Sequence, residues 1–153
     1  MKKPCAAFSL VEMLILAIFV GVMATITVPR INLGVIDKQK VDTAARKVVT
    51  DLRRTRRLAI SAAATNTVGY GLTLTGSGPY KGYELRDRKS SAKVDSHVFD
   101  PGVSCTADGR NFNFGPAGNL ITGGGATIEL AARGRRFVIT VIPATGMVKC
   151  VEQ

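Results

Sequence analysis

Residues 8–28 of this chain are an apolar run that carries one charge, Glu12. Written as a helix at about 1.5 Å rise per residue, the run is about 30 Å long, the hydrocarbon thickness of a bilayer. It is long enough to span a membrane, and a carboxylate in such a span costs about 2.5 to 3.5 kcal/mol near the bilayer centre, less towards its edge. Glu12 therefore calls for a partner of opposite charge. A secretory signal peptide would also set basic residues such as Lys2 and Lys3 before an apolar core, but that core is uncharged and about 7 to 15 residues long. A lipoprotein signal places its cysteine after the core, whereas Cys5 precedes it. An ordinary single-span anchor accommodates the length and leaves Glu12 unexplained.

Lys2 and Lys3, the small residue Ala7, then Phe8-Ser9-Leu10-Val11-Glu12-Met13 and a long apolar helix resemble the leader and start of type IV pilins and type II secretion pseudopilins. The resemblance implies cleavage between Ala7 and Phe8 by a membrane prepilin peptidase, which also methylates the new N-terminal amine of Phe8. Ala7 stands where the family usually has glycine. The resemblance also implies that Glu12 meets the N-terminal amine of a neighbouring subunit during filament assembly. Each charge is costly in lipid alone and tolerable as a pair, so the pairing favours the correct register. Gly21 and Pro29 fall where the family often loosens this helix. The implied partners are other pilin or pseudopilin subunits, the prepilin peptidase, an inner-membrane assembly platform and the lipid bilayer.

On this reading residues 1–7 are the leader, 8–29 a transmembrane assembly helix, 30–65 its amphipathic continuation, and 66–153 an antiparallel β-sheet domain. The net charge of +10 falls to +8 when Lys2 and Lys3 leave with the leader. Cys5 leaves too, so the three cysteines become two, Cys105 and Cys150. An even pair outside the cytoplasm points to a disulfide, which would close a loop of about 45 residues and contribute roughly 4 kcal/mol through chain entropy. Two buried free thiols are the alternative. Arg30, Lys38, Lys40, Arg46 and Lys47 follow the apolar run closely, and a positive-inside count would hold the C-terminal domain in the cytoplasm. The resemblance implies the reverse: a single-pass inner-membrane protein whose C-terminal domain is periplasmic, joining a pilus or pseudopilus on assembly.

Across residues 37–64, Val41, Ala45, Val48, Leu52, Thr55, Ala59 and Ala62 recur at helical spacing, with Lys40, Arg46, Lys47, Arg53, Arg54 and Arg57 on the other side. This predicts an amphipathic helix whose apolar stripe packs on a sheet and whose basic face is solvated, with Pro29 as a kink between the halves of one long helix. After Asn66 the period changes to two. Val68, Tyr70, Leu72 and Leu74 alternate, Gly76-Ser77-Gly78-Pro79 turns, and residues 80–86 return as a second strand. Residues 87–95 read as a loop, Val98-Phe99 and Val103 as short strand material, and Asn111-Phe112-Asn113-Phe114 as a strand before the turn Gly115-Pro116-Ala117-Gly118. Strands over 127–131, 135–142 and 147–151 complete an α+β fold, a long N-terminal helix on an antiparallel sheet or pair of sheets, as in pilins.

The C-terminal order is similar to the H-type pseudopilins of type II secretion and the related T-type minor pilins, the GspH/FimT family. Phe112, Phe114, Pro116 and Gly118, then Ile139, Val141, Gly146 and Val148, carry the match, together with the helix end from Leu52-Arg53 to Arg57-Leu58-Ala59. In the family the final glycine turn is usually followed by arginine, where this chain has Met147, with Lys149 the nearest cation.

Catalytic chemistry finds little support. His97 is the single histidine, without cysteines or carboxylates at ligand spacing. Gly123-Gly124-Gly125 lacks the Gly-Lys-Ser/Thr of a phosphate loop, and no nucleophile signature is present. The expectation is a non-enzyme without cofactor or metal: a minor pilin or pseudopilin subunit that helps start or cap a filament through helix bundling and the Glu12 pair. A second reading is a surface DNA-binding minor pilin for DNA uptake, with Arg133, Arg135, Arg136 and Lys149 as the phosphate contacts.

Overall fold

The computed structural model describes residues 9–27, 33–121 and 125–153. The chain divides into two compact units, residues 1–33 and 34–153. The first holds helix α1, Leu10–Thr27. Its first turn is closed by the Ser9 carbonyl, which accepts from the amides of Glu12 at 3.0 Å and Met13 at 3.2 Å. Among the described residues no helix is long and apolar enough to cross a membrane; the 18 residues of α1 rise only about 27 Å. The expected span is thus described in part. Ala7, Phe8 and Pro29, and with them the expected cleavage point and kink, lie outside the described residues.

Helix α2, Leu33–Ser61, begins the second unit's core. Val41, Ala45, Val48, Leu52, Thr55 and Ala59 of the expected stripe are buried, joined by Ala44 and Val49, whereas Ala62 lies past the end of the helix and is half-buried; Arg46, Lys47, Arg53, Arg54 and Arg57 are exposed. Beyond α2 the buried Asn66 ties the helix exit to the first strand. Its Nδ2 donates to the Gly69 carbonyl at 3.2 Å and to Asp87 Oδ1 at 2.7 Å, and its Oδ1 accepts from the amides of Val68 and Gly69. Every polar atom of this side chain that must leave water therefore has a partner.

Eight strands follow: β1 Tyr70–Thr75, β2 Gly82–Asp87, β3 Lys93–Val98, β4 Ser104–Ala107, β5 Asn111–Phe114, β6 Thr127–Ala132, β7 Arg135–Ile142 and β8 Met147–Glu152. They form two four-stranded antiparallel sheets, β3-β2-β1-β5 and β4-β6-β7-β8. Each sheet turns alternate side chains inward: Leu72, Leu74, Tyr83, Phe112 and Phe114 from one, Cys105, Ile128, Leu130, Phe137, Ile139, Val141 and Val148 from the other. With the stripe of α2 they make one hydrophobic cluster.

Three expectations need correction. Phe99 and Val103, read as strand material, fall in the connection between β3 and β4. Residues 87–95 are not all loop, because β3 starts at Lys93. It is an edge strand whose charged and half-exposed side chains hide the period-two signal, as edge strands commonly do. The disulfide is absent: Cys105 is a buried free thiol and Cys150 an exposed one. They occupy β4 and β8, the opposite edges of one sheet. Three inter-strand steps of about 4.8 Å separate those edges, whereas a disulfide needs Cα atoms within about 7 Å. Burial pushes the Cys105 thiol up to about 12, so it stays protonated and inert at neutral pH. Alkylation of the native protein at pH 8, mapped by peptide mass, is expected to mark Cys150 and spare Cys105 until denaturant is added.

The helix and the first sheet are also joined by a buried polar contact. The Tyr83 hydroxyl donates to Asp51 Oδ2 at 2.6 Å, and Lys47 Nζ lies 3.3 Å from the same oxygen. Burial, reinforced by the Asp51 carboxylate, raises the Tyr83 pKa well above its ordinary value. A tyrosine held neutral in the fold contributes stability that is intact below its unfolded pKa and declines as pH rises above about 10. Tyr83→Phe should cost about 1.5 to 3 kcal/mol at pH 7 in urea unfolding, because a hydrogen bond to a charged group is lost. The same variant should lose stability less steeply than wild type above pH 10.

Candidate assembly helix and cation clusters

Helix α1 carries no polar stripe. Its large apolar side chains are exposed on every side, from 83% at Leu10 to 49% at Ile15, with Phe19, Val20 and Met23 above 60%. A helix that is apolar all round is stable when surrounded by lipid or by other helices, not by water. Glu12 sits in the first turn and is exposed, at the positive end of the helix dipole, where a carboxylate is favourable. It is the one ionisable group on this surface among the described residues. The helix continues unbroken through Gly21, where an added Cβ would meet nothing within 4 Å. Among the described residues of its own unit nothing demands glycine at position 21, which carries the usual glycine cost of roughly 0.5 to 1 kcal/mol in a helix interior.

The four cations expected to contact nucleic acid do not converge. Arg133 and Gly134, with φ of 41° and 81°, form the two-residue turn between β6 and β7, as the left-handed hairpin turn requires. Arg133 Nε lies 2.8 Å from Asp37 Oδ2, Arg135 Nε 2.7 Å from Glu152 Oε1, and Arg136 Nη2 2.6 Å from Glu129 Oε2. Strand alternation sends Arg135 to the face of the buried Phe137, over whose ring its guanidinium stands at 5.9 Å, and Arg136 to the other face. Lys149 pairs in register with Thr140, five residues along β7 from Arg135 or about 17 Å. Three of these cations already have carboxylate partners, and the fourth stands apart.

A different basic group does converge. Arg53, Arg56 and Arg57 project from α2 towards the turn between β7 and β8 and line a cavity of about 290 Å³ with Gly146, Met147 and Val148. Arg56 Nε donates at 3.1 Å to the carbonyls of both Gly118 and Thr145, and Arg53 Nη2 donates at 3.3 Å to that of Val148. Arg56 thus holds two turns against the helix. The sequence carries a trace of this: Arg56 lies four residues after Leu52 and three before Ala59, at the border of the apolar stripe rather than opposite it.

His97 belongs to an aromatic group on the inner side of β3, its ring 5.5 Å from Tyr83 and 6.0 Å from Phe99. Among the described residues no cluster of three or more His, Cys, Asp or Glu side chains could hold a metal ion. Gly123 and Gly124 lie outside the described residues. Compared with known proteins, the chain matches no family model, no curated protein and no solved structure.

Proposed function

We propose that the protein is a minor pilin or pseudopilin subunit, processed between Ala7 and Phe8, that helps initiate or cap a type IV pilus or a type II secretion pseudopilus. The observation that carries this reading is α1, an exposed helix that is apolar on all sides and carries a single carboxylate, Glu12, in its first turn. The proposed inner-membrane span runs through residues 8–28 and so takes in Phe8 and Val28 beyond the ends of α1. Leaving water favours such a surface by about 25 cal/mol per Å² of apolar area, whether lipid or neighbouring helices cover it. Glu12 then needs an amine, and the processed N-terminus of an adjacent subunit is one. The second unit, with its own core of one helix on two sheets, suits an outward-facing periplasmic domain of the GspH/FimT kind.

The mass of the N-terminal peptide from membrane-extracted protein tests this reading. A peptide starting at Phe8 with one added methyl group supports it. A peptide starting at Met1 in cells with active prepilin peptidase would leave a plain membrane-anchored domain. DNA capture through Arg133, Arg135, Arg136 and Lys149 is the weaker reading, since ion pairs already occupy the three arginines.

A further inference from the structure

Most cations of the second unit that approach a carboxylate do so closely, as in Arg46 with Asp42 at 3.1 Å and Arg54 with Asp95 at 2.7 Å. Arg53, Arg56 and Arg57 have no ion pair among the described residues. Their spacing of three and four residues places them on one patch of α2. Arg56 is half-buried, so its charge is only partly screened by water. The cavity they line, about 290 Å³, has room for far more than a single water.

Each guanidinium has five N–H groups. The carbonyls of Gly118, Thr145 and Val148 occupy one nitrogen of Arg56 and one of Arg53. The remaining donors of these two side chains, and the Arg57 guanidinium, are left for whatever enters the cavity. Planar forks of this kind match the paired oxygens of a tetrahedral oxyanion. Three like charges brought together without a counter-ion also repel, and a bound anion removes that repulsion.

We propose that Arg53, Arg56, Arg57 and the β7–β8 turn form a binding site for a phosphate group, free or carried in a phosphodiester. The site is independent of filament assembly and stands or falls apart from it. Full-length protein in a non-ionic detergent, titrated calorimetrically with pyrophosphate at constant ionic strength, should show saturable binding. Arg57→Gln, at an exposed position that makes no hydrogen bond among the described residues, should weaken it about tenfold, the loss of a charge-assisted contact. Arg53→Gln should act likewise. Arg136→Gln, which removes only the surface pair with Glu129, should leave it unchanged. A short DNA duplex that displaces pyrophosphate identifies the phosphodiester form, and one that does not identifies the free group. Absence of saturable binding overturns the proposal. So does binding that Arg57→Gln leaves intact, or that Arg136→Gln weakens equally, because diffuse positive charge would then account for it.

Discussion

In cells producing Glu12→Ala, the protein is expected to stay in the membrane fraction and to vanish from sheared filaments. The substitution removes a charge from an otherwise apolar surface, so insertion into lipid becomes easier, by about 2.5 to 3.5 kcal/mol at mid-bilayer and less near the edge. Assembly moves the other way. The neighbour's N-terminal amine would enter the bundle unpaired, and a buried charge without its partner is strongly unfavourable. A penalty of about 3 kcal/mol corresponds to roughly a hundredfold fall in incorporation. The loss of a carboxylate from the first turn of α1 costs the helix only about 0.3 to 1 kcal/mol, too little to explain that result by unfolding. Comparing membrane and sheared fractions by immunoblot separates the two effects. Glu12→Asp, which keeps the charge on a shorter arm, should restore incorporation in part. Normal incorporation of Glu12→Ala would remove the charge pair as the basis of assembly.

The second unit was legible in the sequence wherever a residue's surroundings follow from its own element. The stripe from Val41 to Ala59 could be read because helical spacing alone decides which side of α2 is buried. Strands β5, β7 and β8 were likewise marked by alternation and by glycine turns at Gly118, Arg133-Gly134 and Gly146. What could not be read depends on which strands become neighbours. Cysteine parity joined Cys105 to Cys150, but sheet order puts β6 and β7 between them. A run of basic residues made Arg133, Arg135 and Arg136 look like one patch. Strand alternation divides it, and Glu129 across the β6–β7 hairpin, together with Asp37 and Glu152 from other elements, neutralises it. Asp51 lay unmarked among the polar residues of α2, since nothing local announces that Tyr83, 32 residues later, will donate to it.

Gly146→Ala is expected to destabilise residues 34–153 by about 3 kcal/mol or more, against about 1 to 2 kcal/mol for Gly134→Ala. Both glycines have left-handed backbones, with φ of +64° and +81°, and alanine pays for that conformation at either site. Their surroundings differ. A Cβ on Gly134 meets nothing within 4 Å, whereas one on Gly146 would fall on the carbonyl oxygen of Gly118, with Arg56 Nε 3.1 Å away. Neither turn can retreat cheaply. The amide of Gly146 is bound to the Ile142 carbonyl at 2.7 Å, and that of Gly118 to the Gly115 carbonyl at 2.8 Å. Leu120 N donates to the Pro143 carbonyl at 2.9 Å and fastens one turn to the other. Urea midpoints of the two variants, at unchanged m-value, measure the difference directly. Equal midpoints would mean that the β7–β8 turn does not press against residues 115–118. Arg56 would then lose the two carbonyls that fix it, and the arginine cavity would have no wall.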